Sequence, residues 1–175
     1  MAMLEPVKVD ELPQSVEAFI ALHDQVAQVP QGGAAMMVVA LLVYIEDEDL
    51  GRQCLAIAVD RDKLSEGPKG YQGWQLRASD IWLLHSQIKE KPYIARSYVK
   101  GATPDNGYRL PEFPYTLEFS DNPYSGDPET GTYKVFITSS GASSPRPVTV
   151  KRNDQGMWKA YEWSTLIVGV QEPDT

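Results

Sequence analysis

The side chains best suited to chemistry lie in one loop, residues 139–147, between two segments with the alternating pattern of β-strands. The loop supplies four serine hydroxyls, backbone amides and the Arg146 guanidinium, which stands between two prolines. Such groups bind a carboxylate, a phosphate or a peptide backbone. We interpret the loop as a candidate ligand or partner surface, with a polar hairpin connection that serves only the fold as the alternative.

The strand that follows this loop brings further candidates near Arg146. A tight turn at residues 154–156 makes the strands on either side of it partners, so the loop lies near the end of the second strand. An Arg146–Glu162 pair would make the segment structural. A free Arg146 beside an exposed Trp163 would form a receptor for an acidic or peptide ligand. The candidate surface consists of Ser140, Ser144, Arg146, Glu162 and Trp163.

The other reactive side chains are expected to be structural. His23 and His85 each fall within a helical pattern, and neither has a His, Cys or acid three or four residues further on, as a metal site requires. Cys54 stands mid-helix where a small apolar residue is needed. We therefore predict no catalytic residue, no metal and no cofactor.

Charge and hydropathy restrict the class of protein. The 175 residues include 16 Lys and Arg against 24 Asp and Glu, giving a net charge of -8, opposite in sign to a nucleic-acid-binding surface. The apolar run 34–45 is shorter than the roughly 20 residues of a membrane span and predicts a buried central helix. A single cysteine and the lack of a secretory signal pattern favour a cytoplasmic protein without membrane or nucleic-acid partners.

The first part of the chain has helical periodicity. Ser15 is a suitable N-cap for the first helix, and Pro30 with the following glycines should end it. The acidic run 46–49 suits the N-terminus of a later helix, because the helix dipole favours negative charge there. The further predicted helices are 34–45, a third ending near Val59, and a fourth capped by Ser79 and stopped by Pro92.

The last part of the chain has the period of two that is typical of strands. Before this part, the sequence predicts a loop over residues 65–73 and suggests a strand over residues 93–99. The clear strand patterns cover 115–119, 133–137, 148–151 and 157–163. The sequence thus predicts an α+β fold, with residues 1–110 mainly helical and residues 111–175 forming an antiparallel β module within one compact unit.

Several short motifs in the β module resemble an uncharacterised bacterial domain family. They are Gly-Thr-Tyr-Lys-Val-Phe at 131–136, Ser-Ser-Gly at 139–141, Ser-Pro-Arg-Pro at 144–147, Gly-Met-Trp-Lys at 156–159 and Glu-Trp-Ser at 162–164. The helical hairpin that the predicted helix 34–45 forms with the third helix is similar too. The resemblance implies helices followed by strands, and it implies no activity and no site residues.

Aromatic side chains of the β module favour a non-catalytic binding or adaptor domain that acts through protein contacts. Aromatics and arginine dominate the energetics of protein interfaces. The aromatics concerned are Tyr115, Tyr124, Tyr133, Trp158, Tyr161 and Trp163. Two alternatives remain open: a structural homo-oligomer that pairs through its helical hairpin, and a hydrolase that uses a serine or acid without a recognisable motif. The oligomeric state is not determined by the sequence.

Overall fold

A buried central helix organises the structure, a computed structural model that describes residues 2–174. This helix, α2, is apolar on all sides, and every residue from 31 to 44 is buried. The helices are α1 Val16–Val26, α2 Pro30–Glu46, α3 Glu48–Ala58, α4 Ala78–Leu84, which continues as a π-helical turn over His85–Lys89, and α5 Tyr93–Arg96.

The strands form three sheets. They are β1 Ala2–Met3, β2 Val7–Val9, β3 Leu64–Tyr71, β4 Trp74–Leu76, β5 Tyr115–Leu117, β6 Phe119–Asp121, β7 Thr132–Ile137, β8 Arg146–Arg152 and β9 Trp158–Glu162. The main sheet is antiparallel in the order β1-β6-β7-β8-β9, and β2 pairs with β5 and β3 with β4. Helices and sheet share one buried cluster, so the α+β prediction is confirmed.

Glycines let α2 approach its neighbours closely. A Cβ on Gly33 would lie 2.7 Å from the Trp158 carbonyl oxygen of β9, and one on Gly51 of α3 would lie 2.2 Å from Tyr44 Cα. Neither position has room for a larger residue. The close packing places α2 against β9 on one side and α3 on another.

The boundary between α1 and α2 differs from the prediction. Pro30 and the two glycines do not stop a helix but belong to the first turn of α2. Proline is favoured at the first helical position, because its missing N–H would have no partner there. The glycine at 32 is required by tertiary packing, since a Cβ would lie 1.7 Å from the Val26 carbonyl oxygen.

Two further predictions were wrong. Residues 65–73 form most of the β3–β4 hairpin rather than a loop, and Gly70 lies so close to Trp74 that a Cβ would stand 1.9 Å from its carbonyl oxygen. Tyr93–Arg96 is a helical turn rather than a strand. Ile94 and Ala95 are both buried on that turn, so tertiary burial outweighs the alternating pattern.

Two of the predicted helix starts were correct, but Ser79 does not cap α4, whose N-cap position is Arg77. The predicted strand 115–119 is divided between β5 and β6, which belong to different sheets. Ser15 caps α1 by accepting a hydrogen bond from Ala18 N, and Asp47 caps α3 by accepting one from Leu50 N. Gly156 has a positive φ of 81° in the turn between β8 and β9, as a tight turn requires. Among residues 2–174, no helix is long and apolar enough to cross a membrane.

Candidate functional site

Arg146 is engaged by the end of the chain. Its Nη1 donates to the Thr165 carbonyl at 3.1 Å and to the Val168 carbonyl at 2.9 Å, and its Nη2 donates to the Gly169 carbonyl at 2.6 Å. Three backbone carbonyls thus accept hydrogen bonds from the Arg146 guanidinium group. This geometry supports the structural alternative for Arg146.

The other residues of the sequence-predicted surface do not gather around Arg146 as a receptor. Trp163 is 5% exposed, so it lacks the exposed face that a receptor would need. Ser140 donates its hydroxyl to the Ala102 carbonyl at 2.7 Å. Glu162 and Ser144 are exposed. Within residues 2–174, the ion pair present joins Lys100 and Glu118 at 3.6 Å, so the Arg146–Glu162 pair, one of the two alternatives, does not form.

Arg146→Ala should lower the free energy of unfolding by about 1–3 kcal/mol, because it leaves carbonyls of residues 165–169 without their charged donor. Chemical denaturation of the variant and the wild type measures this loss. Lys134→Ala is the control, as it removes a cation from the neighbouring strand β7. An Arg146→Ala variant as stable as the control would show that the C-terminal segment does not need this contact.

A cleft lies at the opposite end of β9. Its volume is about 500 Å³, and a second lobe of about 320 Å³ adjoins it. The end of α3, the β3–β4 hairpin and the β8–β9 turn form the walls. The residues that line both lobes are Ile57, Tyr71, Asn153, Gln155 and Lys159.

Lys159 is the central cation of this cleft. Its Nζ donates to the Ile57 carbonyl at 2.6 Å, near the C-terminus of α3, where the helix dipole favours a positive charge. Burial lowers the pKa of Lys159 to about 8, although Asp24 and Asp60 act in the opposite direction. The amine therefore exchanges its proton much closer to neutral pH than an ordinary lysine does.

His23 adds a neutral group to the smaller lobe. The residue is 2% exposed, and its Nε2 is buried without a hydrogen-bond partner. Burial, followed by the charge of Lys159, lowers the pKa of His23 to about 3. The imidazole is therefore uncharged near pH 7. This buried position agrees with the expectation of a structural role for His23.

Cations rest on aromatic rings at the larger lobe, which Arg61 and Trp74 line, and on Tyr161, two residues beyond Lys159 in β9. The Arg61 guanidinium lies 4.7 Å from the centre of the Trp74 ring. Lys63 Nζ and Lys151 Nζ lie 4.4 Å and 3.7 Å from the centre of the Tyr161 ring. We call Arg61, Lys63, Lys151, Trp74 and Tyr161 the cationic rim.

The remaining reactive side chains are the potential metal ligands and the Cys54 thiol. Residues 2–174 contain no group of three or more His, Cys, Asp or Glu side chains placed to hold a metal ion. Cys54 is buried, as predicted, and burial raises the pKa of its thiol to about 12, which keeps it protonated and poorly nucleophilic. His85 is exposed on its helical turn.

Comparison with protein families decides the relationship of the chain. A family model described as a domain of unknown function, DUF6935, matches residues 11–174. The chain belongs to this family. The resemblance to an uncharacterised domain family is thereby confirmed. Searches of curated proteins and of solved structures find no match.

In this DUF6935 domain, no pattern in the sequence predicted the cleft. His23 lies on α1 and Lys159 on β9, so no local spacing connects them. The one available signal was the alternation of β9, which places Lys159 and Tyr161 on the same, less buried face. Nothing local indicated that α1, α3 and the β3–β4 hairpin would surround that face.

Proposed function

We propose that this domain is a non-catalytic binding domain that acts through protein contacts and captures an acidic peptide segment at the cationic rim. The observation that carries the proposal is the contact of Lys63 and Lys151 with one ring, Tyr161, at 4.4 Å and 3.7 Å. Two ammonium groups held close to the same aromatic ring repel each other. An acidic ligand would relieve that repulsion.

The charge distribution supports an acidic partner. The chain as a whole carries a net charge of -8, yet the rim and the cleft floor bring Arg61, Lys63, Lys151 and Lys159 into one neighbourhood. Among the residues that the structure describes, none of these cations has a carboxylate within 4.0 Å. Asp60 and Asp154 also line the larger lobe without forming an ion pair with these cations. The cations can therefore pair with a ligand, and long-range attraction would steer an acidic segment to this face.

Aromatic side chains complement the cations. Tyr161 and Trp74 offer apolar surface against which the aliphatic stems of glutamate side chains pack, while the carboxylates meet the ammonium and guanidinium groups. This site replaces the Ser139–Pro147 loop as the binding surface of the domain. We also propose a cytoplasmic location, because the single cysteine is free and buried and the fold needs no disulfide.

Fluorescence anisotropy with a labelled octaglutamate peptide tests the proposal. The Lys63→Glu/Lys151→Glu double variant should bind this peptide at least about tenfold more weakly than the wild type, because two attractions become repulsions. The Lys89→Glu/Lys91→Glu variant is the matched control, since it makes the same charge change at two exposed positions outside the rim.

Equal losses in both double variants would mean that net charge alone governs binding, which would contradict a defined site. Absence of octaglutamate binding to the wild type at low salt would also contradict the proposal. Circular dichroism and thermal unfolding of each variant ensure that a loss of binding is not a loss of folding.

A further inference from the structure

Lys159 occupies an unusual position for a lysine. It lines both lobes of the cleft, and the Ile57 carbonyl that accepts its hydrogen bond at 2.6 Å is a neutral group. No carboxylate of the described residues lies within 4.0 Å of Nζ. An ammonium that is partly withdrawn from water and has no counter-ion is costly, and this cost shifts the equilibrium toward the neutral amine against the attraction of the α3 C-terminus.

We propose that Lys159 is a nucleophilic amine that forms an imine with an aldehyde or ketone ligand seated in the cleft. The neutral Nζ attacks the carbonyl carbon, a C–N bond forms, and one N–H proton moves to the carbonyl oxygen to give a carbinolamine. The hydroxyl then leaves with the second N–H hydrogen as water, and a C=N bond remains. No oxidant or reductant is consumed, and water reverses the reaction.

The cleft suits such a ligand. A volume of about 500 Å³ lies in the usual range of small-molecule sites. Tyr71 and Trp74 provide an apolar wall, and Gln155 lines both lobes as a polar contact. Lysines that react with carbonyl compounds in proteins are characteristically desolvated or placed near another cation. Lys159 satisfies both conditions, because Arg61 also lines the larger lobe.

The charged groups around Lys159 act in both directions. Asp24 on α1 and Asp60 after α3 raise its pKa, whereas burial and Arg61 lower it, and the result is a pKa of about 8. His23 faces the same lobe but stays neutral, with a pKa lowered to about 3. At pH 7 about one Lys159 in ten is then neutral, against about one in several thousand for an ordinary lysine.

Reductive trapping tests the proposal directly. The folded protein is treated with propanal and sodium cyanoborohydride at pH 7, and peptide mass spectrometry follows the modification of each lysine. Lys159 should react at least about tenfold faster than Lys63 and Lys151, because the neutral fraction that a pKa of about 8 provides outweighs the lower intrinsic nucleophilicity of a weaker base. Its rate should rise with pH and level off above about pH 8.

A paired substitution separates this mechanism from simple exposure. Asp24→Asn removes a charge that raises the Lys159 pKa, so labelling of Lys159 at pH 7 should become at least about twofold faster. Asp62→Asn makes the same change at a carboxylate that does not affect Lys159 and should leave the rate unchanged.

Labelling of Lys159 at or below the rate of Lys63 would overturn the proposal, as would an advantage that persists in denaturant. The inference is independent of the acidic-peptide proposal, since propanal is uncharged and octaglutamate has no carbonyl electrophile of this class. Either of the two proposals can therefore fail while the other holds.

Discussion

Leu41→Ala is expected to lower the free energy of unfolding by about 2–5 kcal/mol. Leu41 is 0% exposed in the middle of α2, the helix that contacts α1, α3 and strands β7, β8 and β9. Removing its side chain leaves a cavity that rigid neighbours on every side cannot close. Urea or guanidinium denaturation of the variant and the wild type measures the difference.

Leu83→Ala is the control for this cavity. Leu83 is of the same type and also helical, but it is only partly buried at the edge of the core. Leu83→Ala should lower the free energy of unfolding clearly less than Leu41→Ala does. Equal costs, or a loss below about 1 kcal/mol for Leu41→Ala, would show that α2 is not the centre of stability.

Gly51→Ala is expected to destabilise the fold by about 3 kcal/mol, against the intrinsic preference of a helix. In an open helix this substitution would stabilise by about 1 kcal/mol, because alanine is the better helix former. Here the added Cβ would lie 2.2 Å from Tyr44 Cα, which belongs to the backbone of α2 and cannot rotate away. The two helices must therefore separate.

The sign of the effect makes this a sharp test. Gln53→Ala, two residues further along α3 and only partly buried, should change stability by less than about 0.5 kcal/mol. A Gly51→Ala variant more stable than the wild type would show that α2 and α3 do not pack at this distance. Tryptophan fluorescence and circular dichroism during denaturation follow both variants.

Partial burial gives Lys159 both a structural contact and a lowered pKa. Lys159 stabilises the end of α3 through the Ile57 carbonyl, and the same burial that permits this contact lowers its pKa to about 8. A structural role and a reactive amine thus have one physical cause. The cationic rim differs, because its lysines lie on the ring of a partly exposed Tyr161 and keep ordinary access to ligands.

Signals that depend on neighbouring residues were readable from the sequence. Ser15 and Asp47 cap helices because their side chains reach backbone amides three residues away. The alternation of β7 and β8 shows which face is buried, because side chains of a strand point to opposite sides in turn. The apolar pattern on all sides of α2 likewise predicted a central helix, because a helix without a polar face is stable only when it is buried.

Tertiary structure decided everything that depends on distant partners. The glycines at 32 and 33 look like helix breakers, yet they lie inside α2, where contacts with Val26 and Trp158 leave no room for a Cβ. The sequence made Arg146 a candidate ligand-binding group, but in the fold its guanidinium donates to carbonyls of residues 165–169. His23 and Lys159 share a cleft only because α1, β9 and the end of α3 meet in the folded chain. Burial, which lowers the pKa values of both residues, likewise exists only after folding.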